Sequence, residues 1–120
     1  MNSIILLVVN DTSCRLEIEA IASEMSVECV PVSYGDHLSD LVDRTNPFLL
    51  IVEFSTEVAN WVIKHLTEIK SEHPNFPVIG IIPGGSEADY IRLERAGCDQ
   101  VLSKEIFLKK IKSLIEHYFR

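Results

Sequence analysis

Residues 47–54 have the sequence Pro-Phe-Leu-Leu-Ile-Val-Glu-Phe, and this stretch decides the fold. A short apolar run rich in branched residues is typical of a strand buried on both faces in the middle of a parallel sheet. The carboxyl ends of such strands border the crevice in which open parallel sheets bind ligands. Glu53 lies one step past the unbroken part of the run, so it is predicted to point into that crevice.

Four further apolar runs predict strands, and the segments between them have a helical period. In chain order, the predicted strands are residues 3–9, 28–33, 47–54, 76–82 and 99–103. Pro31 removes a hydrogen-bond donor from the second strand and favours a place at the sheet edge. Ser86 begins a pattern that resembles a capping box, and Gly97 is predicted to end the helix that follows it. Apolar residues three and four apart mark the helices, most regularly at Phe107, Leu108, Ile111, Leu114, Ile115 and Tyr118.

The strict alternation of five strands with five helices predicts an α/β fold. Short connections between alternating elements imply right-handed crossovers and a parallel sheet that helices cover on both faces. A chain of 120 residues is long enough to bury a core without disulfides or metal. We therefore expect one domain, residues 1–120, with a flavodoxin-like, doubly wound five-stranded sheet of order 2-1-3-4-5.

The composition argues against several classes of protein. The net charge of -7 and the isoelectric point near 5.0 disfavour a nucleic-acid surface, which needs clustered basic residues. The longest apolar run, residues 4–9, is too short to cross a membrane, and no basic residue precedes it. We expect a cytoplasmic protein without membrane contact. Cys14, Cys29 and Cys98 are widely separated, so their spacing predicts neither a disulfide framework nor a zinc site.

Three segments resemble the receiver domain of two-component response regulators, and the resemblance covers essentially all 120 residues. The central run resembles the third strand of that family, with Glu53 at the position of the phosphate-accepting aspartate. Residues 77–82 are similar to the fourth strand, with Ile82 where the family has its switch threonine or serine. Residues 96–104 are similar to the run that ends in the family's phosphate-binding lysine, here Lys104.

The sequence departs from the family at the positions that bind magnesium, accept the phosphoryl group and respond to it. The two acids that hold magnesium in the family align with Asn10 and Asp11, or with Val9 and Asn10 if the first helix is the guide. One acid or none is then left. Val101 stands at the aromatic switch position of the fifth strand. Glu53 is one methylene longer than aspartate, which moves its carboxylate by about 1 Å, and a displacement of this size costs on the order of a hundredfold in rate.

These departures predict the loss of phosphorylation. Transfer of a phosphoryl group requires magnesium held by several oxygens, a cation on the phosphoryl group and in-line attack. Ile82 also has no hydroxyl with which to read a phosphate. We predict a pseudo-receiver without enzymatic activity, metal or cofactor, which acts as a protein-interaction module in a two-component-type signalling pathway. The alternative is a working receiver that is phosphorylated slowly, with Asp11 holding Mg²⁺.

The pair formed by Glu53 and Lys104 has two interpretations. The longer glutamate side chain could reach the lysine and hold one conformation as a fixed imitation of the phosphorylated state. Alternatively, the two residues are solvated charges at a strand end, and exposed pairs contribute only about 0–1 kcal/mol.

The resemblance implies that the fourth helix, fifth strand and fifth helix form the partner surface. Another signalling protein, an output domain or a second copy of the chain would bind there. Tyr90 on the fourth helix, near Val101, is a candidate contact because aromatic side chains dominate interface energies. The other interpretation is that Tyr90 simply lies over its helix. Trp61 is predicted to be a partly covered residue of the third helix.

Three other kinds of site are disfavoured. A flavin phosphate would need glycine in the loop of residues 10–14, which has none. Cys14 lacks the arginine that a phosphate-binding cysteine loop requires, and its place on an apolar helix face predicts core packing. The histidines form no i, i+4 pair with a third metal ligand and are predicted to lie on the surface. They are His37, His65, His73 and His117.

Overall fold

A computed structural model describes residues 2–84 and 87–119 and contains five strands and five α-helices in strict alternation. The strands are β1 Ile4–Val8, β2 Glu28–Pro31, β3 Leu49–Glu53, β4 Val78–Ile82 and β5 Gln100–Ser103. The helices are α1 Thr12–Glu24, α2 Leu38–Thr45, α3 Ala59–Glu72, α4 Glu87–Ala96 and α5 Lys104–Tyr118. A single 3₁₀ turn, Thr56–Val58, precedes α3. The predicted capping residue Ser86 lies outside the described residues.

The strands form one parallel sheet in the order β2-β1-β3-β4-β5, which confirms the predicted flavodoxin-like topology. Every residue of β3 is buried, as expected for a central strand with helices on both sides. Val52 pairs with Val8 on one side and with Gly80 on the other. Pro31 lies on the edge strand β2, as predicted, opposite Leu7.

Helices pack on both faces of the sheet in two layers. Helices α1 and α5 share one core with the side chains at odd-numbered positions of β1, β3 and β4. This core surrounds Phe107 and Ile18. Helices α2, α3 and α4 cover the other face, around Leu38, Leu66 and Leu93. The described residues include no helix long and apolar enough to cross a membrane. This arrangement leaves the carboxyl ends of β1, β3 and β5 close together at one edge of the sheet.

Gly97 ends α4 in a conformation that other residues rarely adopt. Its φ angle is +118°, and a Cβ atom at this position would lie 2.5 Å from Cγ of Lys70 in α3. The glycine therefore allows both the turn into β5 and the close approach of α3 to α4.

Replacing Gly97 by alanine is predicted to destabilise the domain by about 1–3 kcal/mol, the cost of a non-glycine residue held at a strained positive φ. Urea unfolding followed by circular dichroism measures the loss. The matched control is Gly35→Ala, since no atom lies within 4 Å of the added carbon there. An equal loss in the two variants would contradict this account of Gly97.

Candidate functional site

The predicted site residues meet in a cavity of about 470 Å³ at the carboxyl edge of the sheet. Asn10 and Asp11 come from the loop after β1, Glu53 ends β3, and Lys104 begins α5. The remaining lining residues are Ser55, Glu57 and Pro83. The structure thus brings together four of the predicted site residues, which are up to 94 positions apart in the chain.

Glu53 is buried and turned toward the loop that follows β1. Only 5% of the residue is exposed. Its Oε1 accepts hydrogen bonds from the backbone N–H groups of Asn10, at 3.0 Å, and Asp11, at 3.2 Å. The extra methylene of glutamate gives the carboxylate the reach to bridge from β3 to this loop. The carboxylate is therefore a structural acceptor for two backbone donors.

Lys104 is held at the same point by two acids. Its Nζ contacts Oδ2 of Asp11 directly and lies 3.7 Å from Oε2 of Glu53. The interpretation of Glu53 as a solvated charge is wrong, because Glu53 is buried and lies within ion-pair distance of Lys104. The lysine lies closer still to Asp11. Asp11 and Lys104 stand at the amino ends of α1 and α5, which pack side by side, and this neighbourhood explains their contact.

Asp11 also caps α1. Its Oδ1 accepts hydrogen bonds from the N–H groups of Ser13, at 3.0 Å, and Cys14, at 3.4 Å. Val9 is buried, so the structure favours the alignment in which Asn10 and Asp11 face the site. One acid therefore stands where the family has two, and both of its oxygens already have partners.

The nearby thiol of Cys14 is disfavoured as a nucleophile. Burial, followed in size by the charges of Glu53 and Glu17, raises the pKa of the Cys14 thiol to about 11. A thiol with this pKa stays protonated at neutral pH, which argues against a phosphocysteine chemistry. Burial also raises the pKa of Tyr34, with Glu53 and Glu57 adding to the effect.

The two switch positions lie next to the site but carry no polar group. Ile82 ends β4, is 1% exposed and packs in the core under α3 and α4. Val101 on β5 pairs with Gly80 and is half-buried against the same core. A phosphate on residue 53 would find no hydroxyl at either position.

Tyr90, the predicted contact residue of the partner surface, is less exposed than expected for a residue that binds a partner. Tyr90 and Val101 are both half-buried and packed against the core. The exposed apolar residues near this surface are instead Ile91 on α4, 41% exposed, and Ile106 on α5, 45% exposed. Neither residue was predicted from the sequence to be a contact, although each interrupts an otherwise polar helix face. Trp61 is partly covered, as predicted.

The expectation that all histidines lie on the surface is wrong for His65, which is 8% exposed and lies on α3. His37 and His117 are exposed, and His73 is partly exposed. His73 lies near Asp43 and Glu72, with ligand atoms of the three residues within 4.8 Å of one another. These exposed groups lie at the opposite edge of the sheet. A 2.8 Å ion pair between His73 Nε2 and Asp43 Oδ1 accounts for their proximity when the histidine is charged.

Comparisons with protein-family models and with curated proteins found no match. Solved structures, however, share the fold. A CheY-like protein, TadZ, of Pseudomonas aeruginosa is 15% identical with a TM-score of 0.84, over 98% of this chain and 99% of that chain. An orphan response regulator of H. pylori is 18% identical with a TM-score of 0.78, over 98% and 96% of the two chains.

A third structure is described as an atypical orphan response regulator with a phosphorylation-independent regulatory mechanism. It is 18% identical with a TM-score of 0.78, over 98% of this chain and 95% of that chain. At these identities the likeness establishes that the chain has the receiver-domain fold.

Replacing Glu53 by alanine is predicted to destabilise the domain by about 1–3 kcal/mol, because the part-buried N–H groups of Asn10 and Asp11 lose their acceptor and only partly regain contact with water. Glu53→Gln keeps an acceptor oxygen and should lose less. The free energy of unfolding in urea measures both.

The matched control is Glu57→Ala, an exposed acid of the same cavity, whose removal should change stability by less than about 0.5 kcal/mol. Similar losses at the two positions would show that the hydrogen bonds of Glu53 contribute nothing.

Proposed function

We propose that this chain is a receiver-like signalling domain of a two-component-type pathway that works by protein binding, without phosphorylation, catalysis or metal. The observation that carries the proposal is the carboxylate of Glu53. It is buried and accepts hydrogen bonds from two backbone N–H groups, of Asn10 and Asp11, while its second oxygen faces Lys104. The carboxylate that would attack a phosphoryl donor is thus already hydrogen-bonded within the protein, where it joins β3 to the loop after β1.

The state of Asp11 supports the same conclusion. Magnesium needs near-octahedral oxygen ligands and retains several waters. Asp11 uses one oxygen to cap α1 and the other to contact Lys104. A metal ion would have to displace the lysine or break the cap, so the residues present do not fit a resting magnesium site.

The switch positions through which a receiver domain responds to phosphorylation are also altered. A switch needs a group whose packing changes when charge arrives at the site. Ile82 and Val101 have no hydrogen-bonding side chain, and Ile82 is fixed in the core. We infer that partners recognise one standing conformation of the domain. The phosphorylation-independent mechanism described for a regulator of the same fold supports this inference.

A working receiver with slow phosphorylation remains the second candidate. It is favoured by one observation, namely that Asp11, Glu53, Glu57 and Lys104 line a single cavity of about 470 Å³. In this case Asp11 and Glu53 would hold Mg²⁺, whose charge would stabilise the transferring phosphoryl group.

The two candidates differ in a direct measurement. We expect no gain of a phosphoryl group when the protein is incubated with acetyl phosphate and Mg²⁺ and then weighed intact, because both acids are already paired. A stable gain of one phosphoryl group on residue 53 would refute the proposal in favour of the second candidate.

Two controls make a negative result informative. The double variant Asn10→Asp with Glu53→Asp restores an acid pair and the shorter acceptor, and we expect it to be labelled under the same conditions. A magnesium titration of the unsubstituted protein, followed by fluorescence of Trp61, should show no saturation, whereas saturable quenching would support the second candidate.

The partner surface is proposed to lie on α4, β5 and α5. The exposed apolar side chains Ile91 and Ile106 are its best anchors, with Tyr90 and Val101 supporting them from the core side. Either another signalling protein, such as an output domain, or a second copy of the chain is expected to bind here. The acidic net charge argues against a nucleic acid as the partner.

Substituting glutamate for Ile91 and Ile106 together should abolish self-association in sedimentation velocity, or capture of a signalling partner where the protein is monomeric. A buried charge at an interface centre typically costs several kcal/mol. Leu16→Glu is the matched control, since Leu16 is 56% exposed on α1. Equal binding by the two mutants would place the surface elsewhere.

A further inference from the structure

The interface between α2 and α3 contains three of the four histidines of the chain. His37 is the residue before α2, His65 lies in the middle of α3, and His73 follows the end of α3. Histidine is the side chain whose charge ordinarily changes near physiological pH. The three imidazoles are therefore placed where protonation acts on the packing of one short helix against its neighbour.

His65 is held in a neutral environment. It is more than nine-tenths buried, and its Nδ1 has no hydrogen-bond partner among residues 2–84 and 87–119. The ring packs on Trp61 with 4.4 Å between ring centroids, and Tyr34 packs edge-on against the far side of this tryptophan at 5.3 Å. An imidazolium in this place would be desolvated without a partner for one of its N–H groups.

The charged groups around His65 come from both helices. On α3, Glu68 is the acid that favours its protonation, and Lys64 opposes it. Across the interface, the ring of His37 lies 5.9 Å away and is itself 3.1 Å from Asp40. Burial is the largest influence and lowers the pKa of His65 below the ordinary value of 6.5.

We propose that the α2–α3 interface is a proton-sensitive element that opens at the amino end of α2 when His65 becomes charged. Protonated His65 would need Glu68, which accepts a hydrogen bond from Ser39 Oγ at 3.4 Å and lies 3.9 Å from His37 Nε2. Drawing Glu68 toward His65 removes these two contacts between α3 and α2.

His37, at the amino end of α2, lies between two acids, 3.1 Å from Asp40 and 3.9 Å from Glu68, and the second of these contacts is one that the opening removes. The other end responds in the opposite sense. Asp43 near the end of α2 lies 2.8 Å from His73, and this pair becomes a true ion pair when His73 is charged. The helix therefore loosens at its start and stays attached at its end.

The sign of the effect on stability follows from the lowered pKa. A group that binds its proton less readily in the folded state stabilises the fold fully above its unfolded pKa, about 6.5. This stabilisation falls as the pH drops from there toward the lower folded-state pKa. The opening equilibrium of α2 should increase about tenfold for each unit by which burial lowers the pKa.

The chain contains a single tryptophan, Trp61, and it touches His65, so the event can be observed directly. In the unsubstituted protein, we expect the His65 imidazole resonance to titrate with a midpoint below 6.5, together with a fall in Trp61 emission. Hydrogen exchange in α2, corrected for the intrinsic rate at each pH, should accelerate between about pH 7.5 and 5 while β3 remains protected.

His65→Leu keeps a side chain of similar bulk and removes the titration, so its α2 exchange and Trp61 emission should be nearly independent of pH. His65→Gln serves the same purpose if leucine disturbs packing, and His117→Gln on α5 is the matched control. A His65 midpoint at or above 6.5, or equal acceleration of α2 in the unsubstituted protein and in both His65 variants, would overturn the proposal. This element is independent of whether Glu53 is phosphorylated.

Discussion

The structure depends on where the buried carboxylate of Glu53 finds its hydrogen bonds. A charged group with 5% exposure must be paired, because an uncompensated charge in the interior costs several kcal/mol. Here the compensation comes from the backbone donors of Asn10 and Asp11 and from the nearby ammonium of Lys104. Glu53 thereby fastens the end of β3 to the start of α1. This is a structural role, which the Oε1 atom fills, while Oε2 faces Lys104.

The central strand sets the position of that carboxylate. Leu49 to Val52 are apolar and wholly buried, and Leu50 to Val52 are paired on both sides, so the register of β3 is fixed against slippage. Glu53 must then emerge at the carboxyl edge beside the loop after β1. The same topology brings the amino ends of α1 and α5 together, where Asp11 and Lys104 meet. The charged residues of the site therefore lie close together because of the order of the strands, and not because they are near one another in the sequence.

Much of this could be predicted from the sequence because it depends on periodicity. The strand order and the edge position of Pro31 follow from apolar runs and crossover rules, whereas the meeting of Glu53 with Lys104 was predicted from the resemblance to receiver domains. The hydrogen bonds of Glu53 could not be predicted, since they depend on side-chain reach of about 1 Å. The burial of His65 had a signal that was overlooked. It lies three residues after Val62 and four before Ile69, on the buried face of α3.

The contacts of Asp11 would oppose a metal ion at this site. Removing an N-cap acceptor costs about 0.5–2 kcal/mol of helix stability, and removing one partner of a paired charge adds a further cost. An incoming magnesium ion would have to offset these losses and its own reluctance to give up water. The receiver family has two acids at this point, so a metal ion there would not depend on one carboxylate. With asparagine at position 10, this chain has one acid, and its two oxygens contact the amino end of α1 and Lys104.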